Sequence, residues 1–351
     1  MSNIFIHYFT GTGNTAHAVK IIGEQLQSAG HHINVIKVRK GITPSHDKAD
    51  YHIVAFPVLS WAAPTLMKHY LSKMPVSNGT KVAVLAVSGS IFSNGKIVKG
   101  YAGQALEEVE SLLKRRKYDV FLTGNASFPD NWTQVTNPCT KEESESIFHL
   151  AEAEVEVFIQ KFIAGKRELY RCGFFNLLWS KATALLFGLI GRRALGKFFI
   201  ADEHCTGCTL CAKACPVQTI HMDDKKPHWD TRCEDCNRCI NICPENAIQV
   251  SMPMFILQMT IHVFVTIWVI HQILRYIPEW VQLEEFLTIG IEVVLIVVAY
   301  IILLWISFVP LDWILRQFLQ FRSVRRFFSL SYTQSYRRYK APGFNPLKEN
   351  G

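Results

Sequence analysis

The sequence predicts an α/β domain with a doubly wound parallel sheet, followed by a small α+β domain and a hairpin of two apolar helices. Over residues 1–164, short apolar runs alternate with amphipathic helical patterns, which is the order of a parallel sheet covered on both faces. Eight cysteines then fall within residues 205–243, and two long apolar stretches follow them. The chain accordingly divides into segments 1–164, 165–200, 201–252, 253–310 and 311–351.

The composition of the 351-residue chain indicates a membrane and a reducing compartment. Hydrophobic residues make up 49% of it, which is high for a soluble protein. Eight of the ten cysteines lie in closely spaced runs, so disulfides are not expected. Basic residues are concentrated in 165–197 and 310–351, which are also rich in Phe, Leu and Trp. That mixture favours a partner surface of anionic membrane lipid and not nucleic acid.

The first strand leads directly into a candidate phosphate loop. The apolar run Ile4–Phe9 is followed by Thr10-Gly11-Thr12-Gly13-Asn14-Thr15 and then by an amphipathic helical pattern. Backbone N–H groups and the helix dipole at such a junction bind anions. The third glycine of a dinucleotide fingerprint and the Gly-Lys-Thr/Ser of a P-loop are both missing, so a single terminal phosphate fits best. A glycine turn without a ligand is the alternative.

Further strands are predicted at 33–38, 51–56, 81–87 and 120–123, with helices at 63–73, 102–117 and 141–164. Ligands of such sheets bind at the carboxyl ends of the strands. Two more loops are expected there. One is residues 57–64, with Trp61 between two prolines, and the other runs from Ser88-Gly89-Ser90 to Gly103.

These loops resemble flavodoxin, and specifically the flavodoxin-like half of membrane-associated flavodoxin–ferredoxin fusions. The resemblance implies an FMN cofactor. Its phosphate would lie in the loop formed by Thr10, Gly11, Thr12, Gly13, Asn14 and Thr15. Trp61 would lie against the isoalloxazine ring, with Tyr101 as a candidate second aromatic, and Ser88, Gly89 and Ser90 would contact the ring edge. A core tryptophan is the alternative for Trp61.

The cysteines form two copies of one run. Cys205, Cys208, Cys211 and Cys215 precede Pro216, and Cys233, Cys236, Cys239 and Cys243 precede Pro244 with the same spacing. This is the spacing of a bacterial two-cluster ferredoxin, in which the fourth cysteine of each run binds the other cluster. We therefore assign one [4Fe–4S] cluster to Cys205, Cys208, Cys211 and Cys243, and the other to Cys233, Cys236, Cys239 and Cys215. Zinc sites do not use such a tail.

Two stretches, Met254–Leu274 and Ile289–Val309, are long enough to cross a bilayer. The turn between them is acidic and the segment after them is basic, which predicts two spans with both termini and the redox domains in the cytoplasm. Residues 165–200 are shorter and more polar, and predict either an interfacial helix or a helix packed between the redox domains.

These features predict a membrane-anchored protein that passes electrons between FMN and two [4Fe–4S] clusters, to or from a redox partner protein or quinone. It would act as a carrier or as an oxidoreductase, and no other catalytic residues are predicted. One alternative is a quinone-linked oxidoreductase acting at the hairpin through His271 or Glu292, because ionisable residues inside a membrane are candidates for function. The other is a membrane-tethered ferredoxin whose first domain only docks a client.

Overall fold

The first domain is built on a six-stranded sheet. The computed structural model describes residues 1–45, 48–276 and 317–349, with positions 294, 297, 298, 300, 302 and 313–315. The strands are β1 (Asn3–Tyr8), β2 (His32–Lys37), β3 (Tyr51–Pro57), β4 (Lys81–Ser93), β5 (Lys96–Val98) and β6 (Asp119–Pro129). Strands β2, β1, β3, β4 and β6 are parallel in that order, and β5 folds back on the end of β4. This is the flavodoxin-like order, so the predicted fold class is confirmed.

Four helices cover the sheet, namely α1 (Asn14–Ser28), α2 (Thr65–Ser72), α3 (Ala105–Arg115) and α4 (Lys141–Ile163). Buried residues of α1 and α4 share one apolar core with the sheet, and those of α2 and α3 share the other. A capping box starts α4, since Thr140 Oγ1 accepts from Glu143 N–H and Glu143 Oε2 accepts from Thr140 N–H. The three predicted helices after the phosphate loop are therefore present.

The fourth strand is longer than its sequence pattern predicts. Its apolar run ends at Val87, but β4 continues to Ser93 because β6 pairs with it as far as Ser90 and β5 pairs with residues 91–93. Ser88, Gly89 and Ser90 consequently lie inside a strand and not at the start of a loop. Alternation of small polar residues carries little strand signal in a sequence, which explains the difference.

A buried pair of histidines lies on β1 and β3. His7 Nδ1 is 2.8 Å from the Tyr70 hydroxyl, and His7 Nε2 is 2.9 Å from His52 Nδ1. Burial lowers the pKa of His7 to about 3, with the neighbouring His52 as a second cause. Burial also lowers the pKa of His52 to about 4. Both rings are therefore neutral in the folded protein at neutral pH.

We expect the first domain to lose about 2–4 kcal/mol of stability between about pH 7 and pH 5 through these two rings. In the unfolded chain both rings have the ordinary histidine pKa of 6.5, whereas the folded pKa values are about 3 and about 4. Their stabilisation is thus complete above pH 6.5 and falls as the pH falls toward the folded values. Urea midpoints measured against pH by circular dichroism should show a shallower slope in His52→Gln. An unchanged slope would contradict the assignment.

After α4, the segment between the domains contains α5 (Phe174–Leu186), one turn of π-helix (Phe187–Gly191) and α6 (Arg192–Lys197). Phe174 and Phe175 on α5 are 74% and 82% exposed. By contrast, a Cβ placed on Gly196 of α6 would lie 2.5 Å from Cys233 Cβ. Helix α6 therefore packs against the cysteine-rich segment, whereas the first residues of α5 are exposed. Contrary to the sequence-based expectation of too short a segment, Phe174–Lys197 is long and apolar enough to cross a membrane.

The cysteine-rich domain has two short hairpin-like pairs and two one-turn helices. Its elements are β7 (Phe199–Ala201), α7 (Leu210–Lys213), β8 (Ile220–Asp223), β9 (Lys226–Trp229), α8 (Arg238–Ile242) and β10 (Ile248–Val250). Strand β7 pairs with β10, and β8 pairs with β9. Thr209 and Asn237, which precede α7 and α8, both have left-handed backbones. The two cysteine runs thus have the same local shape, as their equal spacing predicts.

The last described elements are α9 (Met252–Tyr276), α10 (Arg322–Phe328) and a 3₁₀ turn at Tyr332–Ser335. Within α9, Met252–Val269 has a mean hydropathy of 1.7 and is long enough to span a membrane. This assignment follows from the length and composition of the helix. The second predicted span, residues 289–309 with Glu292, lies outside the described residues except for isolated positions. His271 is exposed on α9.

Candidate functional site: cysteine centres beside a phosphate loop

The structure gathers the eight clustered cysteines into two groups of four. Cys205, Cys208, Cys211 and Cys243 line one cavity. The pKa of Cys211 is raised to about 12, mainly by burial and to a smaller extent by the nearby thiols of Cys243, Cys205 and Cys208. Three of these cysteines belong to the first run in the sequence, and Cys243 belongs to the second run. The first group is therefore the set that the crossed assignment requires.

The second group is more deeply buried. Cys215, Cys233 and Cys239 are each at most 8% exposed. Burial raises the pKa of Cys236 to about 12, with Cys215 among the nearby charges that contribute. Burial likewise raises the pKa of Cys239, to which Cys236 and Cys215 add. Cys215 is therefore close enough to Cys236 and Cys239 of the other run to raise the pKa of both thiols.

The donor set fits iron–sulfur clusters. Among the described residues, no three His, Cys, Asp or Glu side chains could share a single metal ion, whereas a cubane spreads its four thiolates over four irons. Three sulfur atoms also receive hydrogen bonds. Trp229 Nε1 donates to Cys239 Sγ, Asp235 N to Cys233 Sγ and Ala247 N to Cys243 Sγ, each at 3.4 Å. Such bonds stabilise the added negative charge of a reduced cluster.

The phosphate loop joins β1 to α1. Gly13, at the helix N-cap, has a φ of 112°, and no side chain caps the helix. Thr15 Oγ1 is buried without a hydrogen-bond partner among the described residues. Other groups of the loop are already engaged, since Asn131 Nδ2 donates to Thr12 Oγ1 at 2.5 Å and Asn14 Nδ2 donates to Pro129 O at 2.9 Å. The uncapped N–H groups and the Thr15 hydroxyl fit a phosphate group.

A buried arginine ties the cysteine domain to this loop. Arg238 is 3% exposed. Its Nη2 donates to Thr10 O and its Nε to Gly11 O, both at 2.7 Å. Its Nη1 donates to Ala214 O at 2.8 Å, next to Cys215. A cation is thus held between the phosphate loop and the second cysteine group.

Two further contacts close the same interface. Glu234 accepts the Thr65 and Leu66 N–H groups at 2.9 and 3.0 Å, so a carboxylate of the cysteine domain caps α2. Trp132 Nε1 donates to Asp235 Oδ2 at 3.1 Å. At the loop itself, a Cβ added to Gly11 would lie 2.6 Å from Cys236 O. The two domains are therefore in direct contact at the carboxyl ends of the strands.

A cavity of about 90 Å³ remains at this junction. Of the residues predicted for FMN, seven line it, namely Thr10, Gly11, Thr12, Asn14, Thr15, Ser88 and Gly89. Asp235, Cys236 and Asn237 of the cysteine domain line it as well. Gly13, Trp61 and Ser90 do not. Ligand cavities usually begin at roughly 300 Å³, so this one has room for a phosphate group but not for a complete flavin.

The two aromatic residues expected around the flavin ring contact one another. The ring centroids of Trp61 and Tyr101 are 5.8 Å apart, whereas a ring held between them would need about 7 Å, or two contact distances. Trp61 also packs on Gly103, where an added Cβ would lie 2.6 Å from Trp61 Cβ. In this arrangement the phosphate half of FMN has its residues in place and the ring half lacks space. FMN binding stays a prediction.

Residues near the carboxyl terminus cover the outer side of the phosphate loop. Ala341 N donates to Thr12 O at 3.0 Å, and the Tyr339 hydroxyl donates to Asn14 Oδ1 at 2.5 Å. A Cβ on Gly13 would lie 2.7 Å from Phe344 Cγ. The sequence pattern identified this segment only as a basic tail. The contacts of this segment with the phosphate loop, like those of Arg238, join residues that are far apart in the chain. A local sequence pattern therefore does not reveal them.

Comparison with known protein families identifies the cysteine-rich domain. A family model described as a 4Fe-4S dicluster domain matches residues 204–248. No curated protein matches the chain. The chain therefore carries a [4Fe–4S]-binding domain.

Solved structures that are similar to the first domain include two flavodoxins and an azoreductase. A Streptococcus pneumonia flavodoxin is 18% identical, with 44% of this chain and 98% of that chain covered and a TM-score of 0.29. A Pseudomonas aeruginosa flavodoxin is 12% identical, with 47% and 99% covered and a TM-score of 0.33. An azoreductase from Bacillus anthracis is 13% identical, with 46% and 98% covered and a TM-score of 0.32. Because these TM-scores are low, we assign the fold of the first domain from its strand order. The chain joins a flavodoxin-like domain to a [4Fe–4S] ferredoxin domain.

Proposed function

We propose that this chain is a membrane-anchored electron-transfer protein that works through two [4Fe–4S] clusters. The first would be held by Cys205, Cys208, Cys211 and Cys243, and the second by Cys233, Cys236, Cys239 and Cys215. The observation that carries the proposal is the crossed grouping of the eight thiols in space. Clusters that share ligands from both runs are neighbours, so an electron entering at one can leave from the other.

The chain's own groups would set the cluster potentials. The indole N–H of Trp229 and the backbone N–H groups of Asp235 and Ala247 stabilise charge on the sulfur atoms. The buried guanidinium of Arg238 lies beside the second cluster's loop and favours its reduced form. Cys208 is exposed and Cys205 is partly exposed. A soluble redox partner would therefore meet the first cluster, with the second cluster deeper in the chain.

FMN is the further cofactor that we propose for the flavodoxin-like domain. When bound, it would exchange electrons singly or in pairs, whereas each cluster carries one. Support comes from the uncapped start of α1 and the unpaired Thr15 hydroxyl. Room for the ring would require Trp61 to leave Tyr101. Ser60 and Trp61 both have left-handed backbones, which cost about 1–2 kcal/mol for each such residue, so a rearrangement of this turn would release strain.

Membrane anchoring is supported by the apolar surface of α9. Phe264, Ile267 and Trp268 are 69%, 59% and 63% exposed. We place both termini and the redox domains in the cytoplasm, where clusters are assembled, on the positive-inside pattern.

The test is an anaerobic redox titration of detergent-purified chain, followed by absorbance and EPR, with iron and flavin counted. We expect about eight irons per chain and two interacting EPR signals. Fewer than about four irons, or clusters that no mediator reduces, would overturn the proposal. Full iron without flavin would leave a membrane-tethered ferredoxin whose first domain serves docking, and the FMN proposal alone would fall.

A further inference from the structure

A second cavity, of about 330 Å³, lies where the ferredoxin domain meets the start of α9. It shares no lining residue with the cavity beside the phosphate loop. One wall is apolar and buried, and consists of Phe199, Ile200, Met254, Leu315 and Leu319. Met254 belongs to α9, the candidate membrane helix. This wall therefore continues from the ferredoxin domain to the point where α9 begins.

The polar part of the lining is dominated by hydrogen-bond donors. It includes Lys197, Lys226, His228, Gln320 and Arg325. The Lys226 ammonium, which has three donors, gives two of them to Asp202 O and Cys205 O at 3.3 and 2.9 Å. The acids of the lining, Asp223 and Asp224, are exposed at the rim. Inside the cavity the polar lining thus suits a ligand whose polar groups accept hydrogen bonds.

Strand β9 connects this cavity with both cysteine groups. Lys226, at its start, donates to the carbonyl of Cys205. Trp229, at its end, lines the cavity and donates its indole N–H to Cys239 Sγ at 3.4 Å. The ring of Phe199 lies 5.4 Å from that of Trp229. A ligand in the cavity would therefore be separated from the second cluster by one indole ring.

We propose that this cavity binds a membrane quinone, which exchanges electrons with the clusters. A quinone is a flat apolar ring whose two carbonyl oxygens accept hydrogen bonds. Its ring would lie against Trp229 and Phe199, and its carbonyls would face Lys197, Lys226 or His228. Its hydrocarbon tail would follow Met254, Leu315 and Leu319 toward α9. The inference rests on the proposed function, because the clusters supply the electrons, and it names the partner.

The reaction balances with groups already named. In the reducing direction, two cluster electrons, one at a time, and two protons convert the two C=O groups of the quinone into two C–OH groups. The clusters are reoxidised and are reduced again by the soluble redox partner. The protons come from water along the side of the cavity where His228 Nε2 lies 4.0 Å from the exposed Asp223 Oδ2. The reverse sequence oxidises the quinol.

The experiment compares two adjacent tryptophan substitutions in the full chain. Leu319→Trp fills the cavity, since Leu319 is 8% exposed and lines it, whereas Phe318→Trp is the control, since Phe318 is 52% exposed and does not. Binding of decylubiquinone is measured by calorimetry in detergent, and reoxidation of dithionite-reduced clusters is followed by stopped-flow absorbance. Ferricyanide, which needs no cavity, is the second oxidant.

We expect saturable quinone binding to wild type and to Phe318→Trp, and about tenfold or greater weakening in Leu319→Trp, with ferricyanide rates unchanged. If Leu319→Trp loses iron, the milder Met254→Phe decides. Wild type without saturable binding, or a cavity-filled variant with full iron that binds as wild type does, would overturn the quinone site. Clusters that fail to react even with ferricyanide would instead overturn the proposed function.

Discussion

Replacing Arg238 with methionine should destabilise the chain by about 3–5 kcal/mol and loosen the contact between its two redox domains. The buried guanidinium satisfies three carbonyl oxygens, those of Thr10, Gly11 and Ala214, at 2.7–2.8 Å. Methionine fills similar space but leaves all three unpaired. Urea unfolding measures the loss, and limited proteolysis between the domains reports the separation.

The matched control is Arg232→Met in the same cysteine loop. Arg232 pairs with Asp230 at 3.0 Å, and its side chain is 70% exposed, so its loss should cost no more than about 1 kcal/mol. Arg238→Lys keeps the charge without the fork and should recover little of the stability. If Arg238→Met and Arg232→Met unfold at the same urea concentration, the arginine does not join the domains.

Cys243→Ala should remove about four irons and leave one cluster. Cys243 belongs to the second run in sequence but lies with Cys205, Cys208 and Cys211 in space. Its variant should therefore give the same residual EPR signal as Cys205→Ala, and Cys215→Ala should match Cys233→Ala. Alanine is used because a serine oxygen could itself bind iron.

Iron analysis and EPR of the four variants, purified without oxygen, make the comparison. Cys172→Ala is the control, since this cysteine lies outside both groups and its loss should leave the iron content unchanged. A residual signal of Cys243→Ala that matches Cys233→Ala would show that each run holds its own cluster, and the crossed assignment would be wrong.

Most of the secondary-structure elements could be predicted from local sequence patterns. The strand–loop–helix at Thr10–Thr15 and the helix that begins at Lys141 follow from short stretches of sequence, and the structure contains both. The two cysteine runs, which have equal spacing in the sequence, also form two local loops of the same shape. These features depend on neighbours in the chain, which is why the sequence reveals them.

Contacts between distant segments were not predictable. Arg238 reads as one basic residue between two cysteines, yet its partners Thr10 and Gly11 lie in the other domain. Trp61, an aromatic residue between two prolines, was predicted to contact the flavin ring. In the structure its neighbours are Tyr101 and Gly103. The continuation of β4 through Ser88–Ser90 depends on the length of β6. In each case the decisive partner is set by tertiary packing.

The covering of the phosphate loop by Tyr339, Ala341 and Phe344 sets an order of events during biosynthesis. The Tyr8 hydroxyl bonds Glu349 at 2.5 Å across 341 residues, so the first strand is made long before the segment that closes over its end. At about 5–20 residues per second, the loop of a growing chain stays open for tens of seconds. A phosphorylated ligand can enter from the outer side during that interval. Once the segment from Tyr339 to Glu349 has been made and has folded onto the loop, entry on that side requires this segment to lift away, so ligand loading is coupled in time to its synthesis.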